Sequence, residues 1–138
     1  MSNAHEFAWA AGFFDGEGWI KIQNRGSDKY CGFYLRIGVG QVKITPLEKL
    51  QTIFGGNIRI KSEPKGNRKR QYIWTLSTKQ AVEALKCMLP YMAHKNEVAT
   101  LALEFENTVG LTGQRVSPET QTYRKLLAEK IQYLNSLD

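Results

Sequence analysis

Asp15-Gly16-Glu17-Gly18 places two carboxylates within three residues and flanks the second with glycines. Paired carboxylates serve acid–base chemistry, or hold a divalent cation through hard oxygen donors. Glycine ends a helix readily, so the tetrad reads as a helix terminus that displays its acids just before a strand. A calcium EF-hand loop is excluded, because the later oxygen ligands and the closing Glu are missing. A plain turn with solvated acids and a metal site at a helix end both fit the residues alone. Gly38-Val39-Gly40 is no dinucleotide fingerprint, since it lies inside a strand pattern with no helix after it. Cys31 and Cys87 show neither CxxC nor Cys/His ligand spacing, and read as two reduced, buried thiols.

The elements around the tetrad follow from periodicity. Ahead of it, Ala8, Ala11 and Gly12 recur at three- and four-residue spacing, a helix face on which a second backbone could approach closely. Behind it, Ile20 and Ile22 alternate with Lys21, Gln23 and Arg25. After a Gly26-Ser27-Asp28-Lys29 turn, residues 30–41 alternate strictly, with Cys31, Phe33, Leu35, Ile37 and Val39 apolar. That is a hairpin. A second one has Ile58 and Ile60 against Arg59 and Lys61, a Pro64-Lys65-Gly66-Asn67 turn, and a strand over 68–76 with Tyr72, Trp74 and Leu76 inward. Thr45 caps a helix over 45–54 with Pro46 in its first turn; Ser77 or Thr78 caps another that runs to Pro90. Residues 95–109 form a further helix and 109–116 a loop. Ser117-Pro118 opens a last helix, with Tyr123, Leu126, Leu127, Ile131 and Leu134 as its buried stripe.

The charge distribution gives the outer face of those hairpins a meaning. The net +6 of the 138 residues is uneven: residues 20–75 hold twelve Lys/Arg against Asp28, Glu48 and Glu63, a net +9, and the remainder carries −3. An antiparallel sheet with one wet face rich in Lys, Arg, Gln and Tyr suits a surface laid on nucleic acid. Its residues are Lys21, Gln23, Arg25, Tyr34, Arg36, Arg59, Lys61, Lys69 and Gln71, with Arg68 and Arg70 reaching phosphates from the hairpin tip. No run of about 18 consecutive apolar residues is present, and no secretion signal opens the chain. A soluble, intracellular protein without a membrane partner is therefore expected. Ser2-Asn3-Ala4 resembles a cloning scar, so residues 1–5 are set apart as a tail and 6–138 taken as one domain.

Residues 10–18, Ala-Ala-Gly-Phe-Phe-Asp-Gly-Glu-Gly, resemble the signature of the LAGLIDADG homing endonucleases in a phenylalanine-rich form. The likeness extends over residues 6–108, and Pro90-Tyr91-Met92-Ala93-His94-Lys95-Asn96 is similar to the family's lysine-bearing stretch. It implies an α+β fold, an antiparallel β-saddle backed by helices in the order αββαββα. One copy of the motif implies a homodimer, with Ala8, Ala11 and Gly12 where two motif helices meet. The implied activity is site-specific hydrolysis of double-stranded DNA with Mg²⁺, or another divalent cation such as Mn²⁺, leaving short 3′ overhangs as in intron homing. Glu17 then takes the role of catalytic, metal-binding carboxylate, with the Gly16 carbonyl as a further ligand and Asp15 capping or orienting the helix end. Gln41 corresponds to a position that orients active-site water, and Lys95 to a lysine near the scissile phosphate; His94 reads as structural. Glu17 departs from the more familiar Asp, which keeps the carboxylate and lengthens its reach. The alternative is a cleavage-inactive DNA-binding regulator or an intron-RNA maturase on the same scaffold. The implied setting is the cytoplasm of a prokaryotic or phage-infected cell, or an organelle.

Overall fold

A computed structural model of the chain describes residues 3–24, 33–108 and 117–137. In chain order the elements are α1 (Ala4–Glu17), β1 (Gly18–Asn24), β2 (Phe33–Gln41), α2 (Thr45–Phe54), β3 (Asn57–Ser62), β4 (Gln71–Ser77), α3 (Thr78–Met88), a 3₁₀ turn (Leu89–Tyr91), α4 (Asn96–Asn107) and α5 (Pro118–Ser136). This is the expected αββαββα order followed by two further helices, α4 and α5. The strands form one antiparallel sheet in the order β1-β2-β4-β3. Leu35, Ile37, Val39, Trp74 and Leu76 leave one face of it and are buried with Phe14, Leu47, Leu50, Leu85 and Met88 from the helices. The opposite face is open.

Local chemistry explains the breaks. Gly56 sits at φ +97°, and a Cβ there would lie 2.5 Å from Leu76 and 2.7 Å from the Thr75 carbonyl. Only glycine lets the α2–β3 turn press that closely on β4. The buried Trp74 indole N–H donates to the Gly55 carbonyl at 2.9 Å, which fixes the same turn.

Several expectations are corrected. α1 starts at Ala4, so Ala4 and His5, set apart as tail, form its first turn. Thr45 is the first residue of α2 rather than its cap. β4 starts at Gln71, three residues later than the alternation suggested, because the ladder shifts register between Ile60 and Ser62 and the hairpin closes through a Lys65–Arg68 bridge. Ile60 is half exposed because β3 is an edge strand. Cys87 is half-buried, while the first hairpin's turn, Arg25, Cys31 and the loop at 109–116 lie outside the described residues. On α5 the buried residues are Arg124, Leu127 and Ile131, and the expected Tyr123 and Leu126 are exposed.

The burial of Arg124 has a cause in the sheet. β4 pairs with β2 only from Arg36 onward, so Phe33 to Leu35 lack a strand on that side. Helix side chains take its place. Arg124 Nη2 donates to the Phe33 carbonyl at 2.9 Å, and the Leu35 N–H is directed at the Glu106 carboxylate. Burial pushes the Glu106 carboxyl above its ordinary 4.5, with the Leu35 N–H and Arg124 pulling the other way. Arg124→Met removes the donor to the Phe33 carbonyl and the charge near Glu106, and should lower stability by about 2 kcal/mol in urea unfolding. Because the native state holds the Glu106 proton more tightly than the unfolded chain, its contribution is full below pH 4.5 and is lost as pH rises through the raised native value. Glu106→Gln, which cannot ionise, should remove that slope from a stability-versus-pH profile.

Candidate active site and nucleic-acid interface

α1 ends at Glu17, and the two acids of the tetrad part company there. The Asp15 carboxylate turns inward. Its Oδ2 accepts from the N–H groups of Ala93 at 2.6 Å and His94 at 3.1 Å, and its Oδ1 from that of Lys95 at 2.8 Å. These three successive N–H groups lead into α4, whose positive end also favours an anion. Partial burial works against ionisation, but the three donors and the Lys95 charge outweigh it and hold the carboxyl below its ordinary 3.8. Asp15 therefore orients the start of α4 as well as the end of its own helix. Glu17 is exposed, and its carboxylate is left for another task.

Lys95 is brought to the same place. Its Nζ donates to the Asp15 carbonyl at 2.8 Å. α1 carries no basic residue in its last turn, so Lys95 supplies the cation that the negative end of that helix attracts. Gln41, half-buried, closes β2 two residues beyond Val39, the partner of Gly18. Glu17, Lys95 and Gln41 thus share one end of the sheet. The Glu17 carboxylate and the Gly16 carbonyl are hard oxygen donors of the kind Mg²⁺ takes. One carboxylate and one carbonyl suit an ion that keeps several waters and takes phosphate oxygens as well; among the described residues no three His, Cys, Asp or Glu gather around one point.

The open face holds Trp19, Lys21 and Gln23 from β1, with Tyr34 and Arg36 from β2. Gln23 stands opposite Tyr34. Tyr34 Oη donates to Gln23 Oε1 at 2.8 Å and Arg36 Nη1 to the same atom at 3.3 Å. Trp19, which composition and motif did not single out, lies where a side chain at Gly38 would go: a Cβ there would be 2.4 Å from its ring. Lys21 Nζ and the Arg36 guanidinium stand 5.0 and 5.9 Å from its centroid. Gly38 was the available signal, since a glycine inside an alternating strand marks a close approach. Arg59, Lys61, Arg68, Lys69, Arg70 and Gln71 are all exposed on the second hairpin. Arg70 is held by Glu63, Nε to Oε1 at 3.2 Å and Nη2 to Oε2 at 3.3 Å. Strand parity stops at Gln71, so it assigns no face to residues 68–70.

The small-residue face of α1 divides. Ala11 is fully buried with Ala10 and Phe14 and is unavailable to a partner, which corrects its place in the expected interface. Ala8 and Gly12 are exposed, and a Cβ at Gly12 or Gly16 would meet nothing within 4 Å. The protomer's own packing does not require that stripe to be small.

Residues 10–108 match the family model described as LAGLIDADG endonuclease. The chain belongs to that family. Comparison with curated protein sequences gives no match. Among solved structures, the homing endonuclease I-CvuI bound to its target with calcium is 26% identical with a TM-score of 0.76, covering 96% of this chain and 83% of that one. I-CvuI with magnesium and uncleaved DNA is 27% identical at a TM-score of 0.77, covering 96% and 85%. The archaeal intron-encoded homing endonuclease I-Vdi141I, complexed with DNA, shares the fold at 16% identity, with a TM-score of 0.78 and 96% and 86% coverage. The LAGLIDADG motif of this chain thus lies in α1, with its first acid structural and its second displayed.

Removing the Asp15 carboxylate should cost about 2 kcal/mol, since a charged acceptor of several N–H groups is lost. Its lowered carboxyl stabilises the fold above pH 3.8 and loses that contribution as pH falls through the depressed native value. The gap in urea midpoint between wild type and Asp15→Asn should therefore be wide at neutral pH and close below pH 3.8.

Proposed function

We propose that this LAGLIDADG protein is a site-specific endonuclease that hydrolyses double-stranded DNA as a homodimer, with a divalent cation, Mg²⁺ or Mn²⁺. The observation that carries the reading is the division of labour in the tetrad: Asp15 is spent on holding α4, which leaves Glu17 exposed and brings Lys95 Nζ to the same helix end. An acid beside a cation at the rim of a basic sheet suits a phosphodiester. The DNA-bound family structures agree with that substrate.

Glu17 and the Gly16 carbonyl would hold the cation, which when bound supplies charge neutralisation and an activated water. Lys95 has three N–H donors on Nζ. One is given to Asp15, and the others are placed to bind a phosphate oxygen and to stabilise the charge that grows on it as the bond breaks. Gln41 orients a water at the same end of the sheet. Two protomers joined along Ala8 and Gly12 would place two such ends side by side, one for each strand of the duplex. The protein would then work where it meets DNA, inside a cell or organelle.

The test is cleavage of a randomised duplex library. With Mg²⁺ the wild type should give discrete ends, and Glu17→Gln should cut at least roughly a hundredfold less while still binding. With 6 to 10 phosphate contacts, affinity should fall by roughly 10³ to 10⁵ between 50 and 200 mM salt. Binding by both proteins with cutting by neither would favour a DNA-binding regulator or a maturase instead. Gly12→Leu, tolerated within the protomer, should sediment as a monomer and lose cleavage with its helical circular dichroism unchanged.

A further inference from the structure

The open face carries a hydrogen-bond arrangement whose polarity is set by chemistry. Gln23 Oε1 receives two donors, Tyr34 Oη and Arg36 Nη1. A guanidinium has no acceptor, so the amide atom facing Arg36 must be the oxygen. Both lone pairs of that oxygen are then engaged. What the side chain has to offer elsewhere is Nε2, with two N–H donors and no acceptor.

The arrangement is braced. Gln23 and Tyr34 are directly opposed across β1 and β2. Arg36 packs toward the Trp19 ring, and Trp19 rests over Gly38, where no larger residue would leave it room. Arg36 therefore leaves the Gln23 oxygen only by giving up the ring contact as well.

A glutamine with a free amide recognises adenine through two bonds, accepting from N6 and donating to N7. Gln23 cannot accept from N6. Guanine offers two acceptors, N7 and O6, on the same major-groove edge, and thymine offers one beside a methyl group. We propose that Gln23 is a specificity-determining residue that reads guanine by donation alone, and that Tyr34 and Arg36 are the positioning residues that set its polarity. The assignment rests on double-stranded DNA being the substrate.

The experiment selects bound duplexes from a randomised library with the full chain and sequences them. The wild type should enrich guanine over adenine roughly tenfold at one position of each half-site. Gln23→Ala should erase that preference and leave the other positions as they were. Tyr34→Phe combined with Arg36→Met frees the oxygen and should switch that one position from guanine to adenine, a change that mere loosening of the sheet would not produce. Gln23→Glu, which can only accept, should switch it to cytosine. An unchanged profile in Gln23→Ala, adenine or thymine at that position in the wild type, or guanine retained in the double variant would each overturn the assignment. A wild type that binds no DNA would overturn the proposed function along with it, whereas selective binding indifferent to Gln23 would overturn this assignment alone.

Discussion

Three backbone N–H groups converging on the Asp15 carboxylate are the constraint on which the rest of the molecule depends. They join the end of α1 to the start of α4 across nearly eighty residues of sequence, and in doing so fix where Lys95 and Glu17 stand. A carboxylate accepting three N–H bonds stays ionised, and an ionised group held from three directions cannot turn away. One acid has thus been committed to architecture so that its neighbour can remain available. The same economy appears on the open face, where Tyr34 and Arg36 hold Gln23 in one orientation.

Much of this was legible in the residues. Period-two alternation identified β1 and β2 and separated Leu35, Ile37 and Val39 from Tyr34 and Arg36, because a half-buried strand has to alternate. The expected end of α2 at residue 54 agrees with the structure, where Gly55 and Gly56 follow at positive φ. The family resemblance singled out Glu17, Lys95 and Gln41, which the fold sets at one end of the sheet. What escaped was non-local. Nothing in the local pattern shows that Asp15 would meet residues 93–95, since a carboxylate's partners lie wherever the chain returns.

α5 shows the same limit from another side. Its apolar residues make one broad arc, with Tyr123 and Leu126 toward one edge and Leu127 and Ile131 toward the other, and periodicity does not say which edge the core takes. The choice was made by β2, whose Phe33 carbonyl lacks a strand and so draws in Arg124. α1 misled similarly at Ala11. A helix with apolar and small residues nearly all round has no distinctive inner face, and the core took Ala10, Ala11 and Phe14 while leaving Ala8 and Gly12 outside.

The replacement of a missing strand by Glu106 and Arg124 gives the two ends of β2 different neighbours on its β4 side, while β1 pairs with both. From Arg36 to Gln41 that side is held by β4 in the ordinary ladder, near Glu17; at Phe33 and Leu35 it is held by side chains of α5 and α4. A single strand is in effect a beam resting on two different walls. Changes made in the helical wall act on one edge of the Tyr34 end, which β1 continues to hold on the other. The portion of the strand beside the chemistry and the portion farther out thus answer to different neighbours along one edge and to the same neighbour along the other.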